Sequence, residues 1–228
     1  DPALLEQGPA GRRPRIAADG RQARHVYARP FDRADTRPRI GLVMLGASDP
    51  ALRRLPAATA LALPAAPASL LEQARLRGME TLLLLPPEPT PGTLDAALAR
   101  FTGYVGVLAT PDEGRAPAAE TPIAVQEALR ARGLLFLDPR EGAAAPSHAW
   151  GRSADLILED APTRGEIDRQ LTELERLAHA RGSALGILPG PRPMLVERVA
   201  AWAAGLPQRG FVLVPVTAMI RRPANAQR

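Results

Sequence analysis

The chain contains no cysteine, no lysine and only 3 histidines, and aromatic residues make up 4% of it. Without cysteine there are no disulfides, no thiolate metal sites and no sulfur nucleophile; any compartment is compatible with that, an oxidising one somewhat more so. The scarcity of aromatics means that the core is built from Ala, Leu, Val and Ile. No run of about 18 apolar residues occurs, so no membrane span is expected in this stretch, and no signal-peptide pattern opens it. A start at Asp1-Pro2 reads as a processed or trimmed piece of a longer protein. All 29 basic residues are arginine, a usage that matches a GC-rich bacterial genome. The formal charge of +5 and the pI near 10.9 invite a nucleic-acid reading. The arginines are scattered beside Asp and Glu, however, and no basic block is interleaved with aromatics to form a stacking surface. Nucleic acid is therefore not an expected partner. No Gly-rich loop follows a strand pattern, and no Gly-x-Ser-x-Gly elbow is present.

What is present is one repeating unit: short apolar strand, loop, amphipathic helix. At 228 residues and 46% hydrophobic content the chain can bury a substantial single core. Residues 1–37 read as an arginine-rich, Pro/Gly-punctuated arm, with Asp19-Gly20 as a hairpin turn and Leu4, Leu5, Tyr27 and Phe31 as anchors on the main domain. The alternative for this arm is a disordered linker; the density of apolar anchors favours docking. Strands are expected at Ile40–Leu45, Thr59–Leu63, Glu80–Leu85, Tyr104–Leu108, Leu134–Leu137, Asp155–Leu158, Ala184–Leu188 and Phe211–Val216. Helices are expected at 68–77, 93–101, 121–131, 164–181 and 193–203. Seven or eight β-α units in so short a chain read as a distorted, closed or nearly closed (β/α) barrel over residues 38–220, followed by a tail at 221–228.

Such folds carry their chemistry at the C-terminal ends of the strands. Here those ends read Leu45-Gly46-Ala47, Leu84-Leu85-Pro86, Leu108-Ala109-Thr110, Leu137-Asp138-Pro139 and Leu188-Pro189-Gly190. Only the fourth carries a carboxylate and none carries a histidine.

Five blocks in order resemble the divergent polysaccharide deacetylase family: Arg39-Ile40-Gly41-Leu42-Val43, Glu80 through Pro89, Phe101 through Val107, Arg132 through Arg140, and Arg181 through Ile187. The arm resembles those of alphaproteobacterial members. The resemblance implies a barrel of the NodB-like type outside the cytoplasm, in the periplasm, often behind an N-terminal membrane anchor, which is expected in a segment outside this stretch. It also implies hydrolysis of acetyl groups from a polysaccharide by a divalent metal, such as zinc, held by Asp and His. The metal polarises the carbonyl and lowers the pKa of a bound water. Position by position that equipment is mostly missing. The aspartate pair after the first strand reads as deleted or replaced around Met44-Leu45-Gly46, and the expected histidines fall at Leu84 and at or near Thr110 and Pro189.

The survivors are few. Asp138 sits at a strand end, as a functional carboxylate or as a turn residue partnering Arg140 across Pro139. Glu88 reads as a brace of the proline-rich loop. Asp112 and Glu113 could form a relocated acidic site in the loop after the fourth strand, and Arg192 could face the same mouth. His179 suits a helix C-terminus, His25 lies in the arm, and His148 sits near a loop of the active face, where with Asp138 it could form a new metal site. Two readings stay open. One is a catalytically degenerate envelope module with no cofactor, binding a cell-wall glycan or an envelope protein. The other is an active carbohydrate deacetylase with an altered site centred on Asp138.

Overall fold

The computed structural model describes residues 1–86, 89–110 and 121–224. The arm opens with a short 3-10 turn, then β1 (Leu5–Gly8) and β2 (Gly11–Pro14), paired antiparallel, and the four-residue α1 (Ala23–Val26). The hairpin therefore closes at Gly8–Gly11, earlier than the Asp19-Gly20 turn expected of it. Asp19-Gly20 does turn the chain, with the Gly20 N–H donating to the Ala17 carbonyl, but it leads into α1 rather than a second strand. Leu4 is buried, and Arg13 and Arg132 both pair with Glu6 and with Asp95, tying the arm to two barrel helices.

The barrel follows as β3 (Arg39–Leu45), α2 (Asp49–Arg54), β4 (Ala60–Leu63), α3 (Ala68–Leu76), β5 (Thr81–Leu85), α4 (Pro91–Leu98), β6 (Gly106–Ala109), α5 (Ile123–Ala131) and β7 (Leu135–Asp138). After a connection without a helix come β8 (Trp150–Ser153), β9 (Leu156–Ile157), α6 (Arg164–Arg181), β10 (Ser183–Leu188), α7 (Pro193–Ala204) and β11 (Val212–Leu213). The strands from β3 onward pair in parallel in the order β8-β7-β6-β5-β4-β3-β10-β9, with β11 added to β3. All strand C-termini consequently lie at one end, the mouth.

The sheet closes through one bent segment. Residues 150–153 pair with β7, and two residues later the same stretch pairs with β10, so β8 and β9 are two halves of one strand crossing between neighbours. At the crossing, the Ala154 N–H donates to the Asp138 carbonyl and the Asp155 N–H to the Leu185 carbonyl. The wall has a gap there, and side chains fill it. Arg152, on the inward face of β8, donates to the Ser183 hydroxyl at 2.9 Å and to Asp155 Oδ2 at 2.8 Å; Asp155 also accepts from the Leu185 N–H and from Arg181.

The period-two alternation of buried strands sorts the core into two layers. Val43, Ala62, Leu82, Leu108, Leu137 and Ile187 fill the barrel interior, whereas Leu42, Leu61, Leu83, Val107 and Phe136 face the helices. Beyond β11 the apolar stretch expected as a strand to Val216 turns into a 3-10 helix (Val216–Ala218) that plugs the end opposite the mouth. Gly41 leaves room for this: a Cβ there would lie 2.2 Å from Met219 Sδ, so the Met219 side chain would have to shift. Glu80, buried at the start of β5, ties plug to arm by accepting from the Thr217 N–H at 3.1 Å, the Thr217 hydroxyl and the Arg29 N–H at 2.9 Å.

Candidate functional site

The mouth is ringed by the ends of β3, β5, β6, β7, β9 and β10. At β3 the chain turns through Gly46 (φ 77°), beside Pro191 of the β10–α7 loop. At β5 and β6 the ring carries the half-buried Leu84 and Thr110, whose hydroxyl is spent on the Leu85 carbonyl. Pro189 follows β10.

Asp138 ends β7. Leu135 and Leu137 point into the barrel and Phe136 points at the helices, so alternation places the Asp138 side chain on the helix side of the wall. It is 3% exposed. Arg140 wraps back across Pro139 and occupies both carboxylate oxygens. Its Nε lies 3.1 Å from Oδ1 and 3.0 Å from Oδ2, its Nη2 lies 2.6 Å from Oδ2, and its backbone N–H donates to Oδ1 at 2.9 Å. The last bond is the Asx-turn geometry that Asp favours before a turn. The Arg140 pairing that the sequence offered as the alternative to a functional carboxylate is present in the structure.

On the other side of the mouth a cleft of about 420 Å³ opens between the β9–α6 and β10–α7 loops. Ile167, Met194 and Leu195 are its apolar lining, with Glu159, Asp160 and Arg192 its polar residues. Arg192 stands at the N-cap position of α7 without a capping side-chain bond, and pairs with Asp160. Sequence reasoning named Arg192 but passed over Asp160 and Glu159, although both follow a strand it had placed; the end of that strand was not counted among those bearing acids. Glu141, also passed over, accepts from the Ile157 N–H and so joins the β7 end to β9.

His148 does not sit at the mouth. It lies two residues before β8, whose Trp150 pairs with Leu135 at the opposite end of β7. Its N–H donates to Gln126 Oε1 at 3.2 Å and its Nδ1 lies 3.3 Å from Glu127 on α5. Glu88, Asp112 and Glu113 lie outside the described residues.

A sequence profile of the divergent polysaccharide deacetylases matches residues 46–220. The chain belongs to that family. Among solved structures, an uncharacterized protein from Agrobacterium tumefaciens shares the fold, with TM-score 0.76 and 28% identity over 92% of this chain and 99% of its own. A peptidoglycan deacetylase from Bdellovibrio bacteriovorus aligns with 93% of this chain and 62% of its own, at 14% identity and TM-score 0.48. No curated protein matches the sequence.

For a divergent polysaccharide deacetylase the first question is whether the strand ends fit a divalent metal. Hard and borderline cations need oxygen or imidazole donors converging from several elements. Among the described residues no group of three or more His, Asp or Glu converges in that way. Leu84 and Pro189 offer no side-chain donor, the Thr110 hydroxyl is already engaged, and both Asp138 oxygens face a guanidinium. The described mouth does not fit the family's metal.

Proposed function

We propose that this divergent polysaccharide deacetylase domain keeps the family's barrel while having lost its hydrolytic reaction, and that it serves the bacterial cell envelope, in the periplasm, as a module that binds a cell-wall glycan or an envelope protein. The reading is carried by the Asp138–Arg140 lock. A general base or metal ligand needs a free oxygen lone pair directed at the reacting centre. Asp138 instead spends its oxygens on Arg140 from the helix side of the wall. Family membership supports the glycan and envelope setting.

The test combines elemental analysis of the purified protein with acetate release from acetylated chitooligosaccharides in the presence of added zinc, alongside a binding measurement on the same oligosaccharides and on peptidoglycan. The expected result is no stoichiometric zinc and no acetate above the blank, with saturable glycan binding, or retention of an envelope protein, by the intact domain. Stoichiometric zinc together with acetate release abolished by Asp138→Asn would overturn the reading in favour of an active deacetylase centred on that residue.

A further inference from the structure

Most deeply placed arginines in this barrel have a carboxylate. Arg152 has Asp155, Arg132 has Glu6 and Asp95, and Arg140 has Asp138. Arg24 is different. It is 5% exposed, its guanidinium stacks 3.9 Å from the centre of the Trp150 ring, and its Nε donates to Gln22 Oε1 at 2.8 Å. Its Nη1 is buried and has no hydrogen-bond partner among the described residues. Among the described residues no acid pairs with it, and desolvation pulls its pKa down to about 10, which still leaves it charged at neutral pH. His25, next to it in sequence, has its pKa lowered by burial and then by the Arg24 and Arg33 charges, so both cations act on that imidazole. Arg221 also comes to this end of the barrel, its backbone paired with that of Gly151 next to Trp150.

A buried guanidinium with an idle donor and no counter-charge is costly, and stacking on Trp150 recovers only part of that cost. Planar, multi-donor guanidinium groups suit tetrahedral oxyanions. From this juxtaposition we infer that the closed end of the barrel holds an anion site for a phosphate-type group, received by the Arg24 guanidinium where it stacks on Trp150. The site lies opposite the mouth and does not depend on what the mouth does.

The chemistry is shared by free phosphate and by the phosphodiester of an anionic lipid, so the test has two arms. In the first, inorganic phosphate is titrated against chloride at matched ionic strength, followed by thermal unfolding and by the NMR titration of His25. In the second, the domain is sedimented with phosphatidylglycerol vesicles and with neutral phosphatidylcholine vesicles. A phosphate-specific rise in Tm and an upward move of the His25 midpoint are expected of the first if the ligand is a free phosphate. Retention on phosphatidylglycerol vesicles alone is expected of the second if it is a headgroup. Arg24→Met keeps an apolar chain on Trp150 while removing the charge; it should weaken the positive arm about tenfold or more, as loss of charge-assisted bonds implies. Arg33→Gln, on an exposed side chain, should weaken it less and guards against a folding defect in the first variant. Absence of a signal in both arms, or a signal unchanged in Arg24→Met, overturns the proposal.

Discussion

Replacing Arg140 by Met separates a structural lock from a working carboxylate. In the native chain the Asp138 carboxylate is 3% exposed and receives three side-chain contacts from Arg140, at 2.6 to 3.1 Å. Only the backbone N–H of residue 140, at 2.9 Å, survives the substitution. Removing one partner of a buried ion pair costs about 3–5 kcal/mol. Arg140 itself keeps 22% of its side chain in solvent, so water can enter where the guanidinium was, and the expected loss is at the low end, about 3 kcal/mol. In a domain of this size that corresponds to a Tm lowered by roughly 6–12 °C. Urea unfolding followed by circular dichroism should show the midpoint falling with an unchanged slope, since the exposed area on unfolding is the same. Asp138→Asn, which keeps an oxygen acceptor and leaves no buried anion, should lose less, about 1–2 kcal/mol. If Arg140→Met falls within about 0.5 kcal/mol of the native protein, the range of an ordinary surface change, the lock does not hold Asp138 and the structural assignment fails.

Other consequences follow from the barrel wall and its plug. Burial, the largest effect on Glu80, raises its pKa above the usual carboxylate value. A folded-state pKa above the unfolded one means that ionisation works against folding, so this group's contribution is full below about pH 4.5 and is lost as pH rises through the folded pKa. Glu80→Gln should flatten that part of the pH–stability profile, measured by urea midpoints from pH 4 to 8; an unchanged profile refutes it. Asp155→Ala leaves Arg152 buried at 9% side-chain exposure without its counter-charge and orphans the Leu185 N–H, a loss of about 3–5 kcal/mol by urea denaturation, whereas exposed Arg164→Ala should cost under about 0.5 kcal/mol. Gly151→Ala would put a Cβ 1.9 Å from the Phe136 carbonyl oxygen. Backbone must then move, so a loss of about 3 kcal/mol or more is expected, and a Tm within 2 °C of native, read by scanning calorimetry, refutes the placement of β8 on β7.

The barrel was legible because its strands are near-continuous apolar runs, as parallel strands buried on both faces must be. Arg39–Leu45, Thr81–Leu85 and Ser183–Leu188 lie within a residue of their expected bounds, and α6 matches Arg164–Arg181 at both ends. The Thr163/Glu166 capping box and Gly182 explain the latter. β8 was missed because Trp150-Gly151-Arg152-Ser153 has no apolar run; its inward residue is an arginine, made tolerable by Asp155 and Ser183 from elsewhere in the chain. α2 was missed although Ser48 caps it and Pro50 sits in its first turn, a signal that was there to be read. The expectation at Phe211–Val216 held only in part: Val212–Leu213 pair with β3, whereas Val214 and Val216 are apolar because they are buried in the plug. At the mouth the sequence located Asp138 and Arg140, but only the alternation of β7 and the bond lengths decide which way the carboxylate is committed.

On the proposed reading, that commitment explains how a catalytic end is rebuilt without disturbing the fold. The interior layer, from Val43 to Ile187, and the helix-facing layer, from Leu42 to Phe136, are complete below the mouth, and the plug at the far end is held by Glu80 and Met219. Ligand positions at the strand ends contribute little to either layer, so Leu, Thr and Pro can stand there at small cost, as surface changes usually do. A buried carboxylate cannot be left behind so freely. Once no cation or substrate draws on it, Asp138 would be an uncompensated charge, and Arg140, two residues on, removes that penalty with bonds from the same chain segment. On the proposed reading the lock is what a mouth without the family's metal requires of the acid at the end of β7, and it makes the reverse experiment informative. Leu84 and Thr110 alternate onto the interior face and Asp138 onto the helix face, so Leu84→His with Thr110→His should leave zinc unbound whether or not Arg140→Met is added. Zinc binding by the triple variant but not by the two-histidine variant, measured by calorimetry, would show that Asp138 can reach the interior face and would refute this placement.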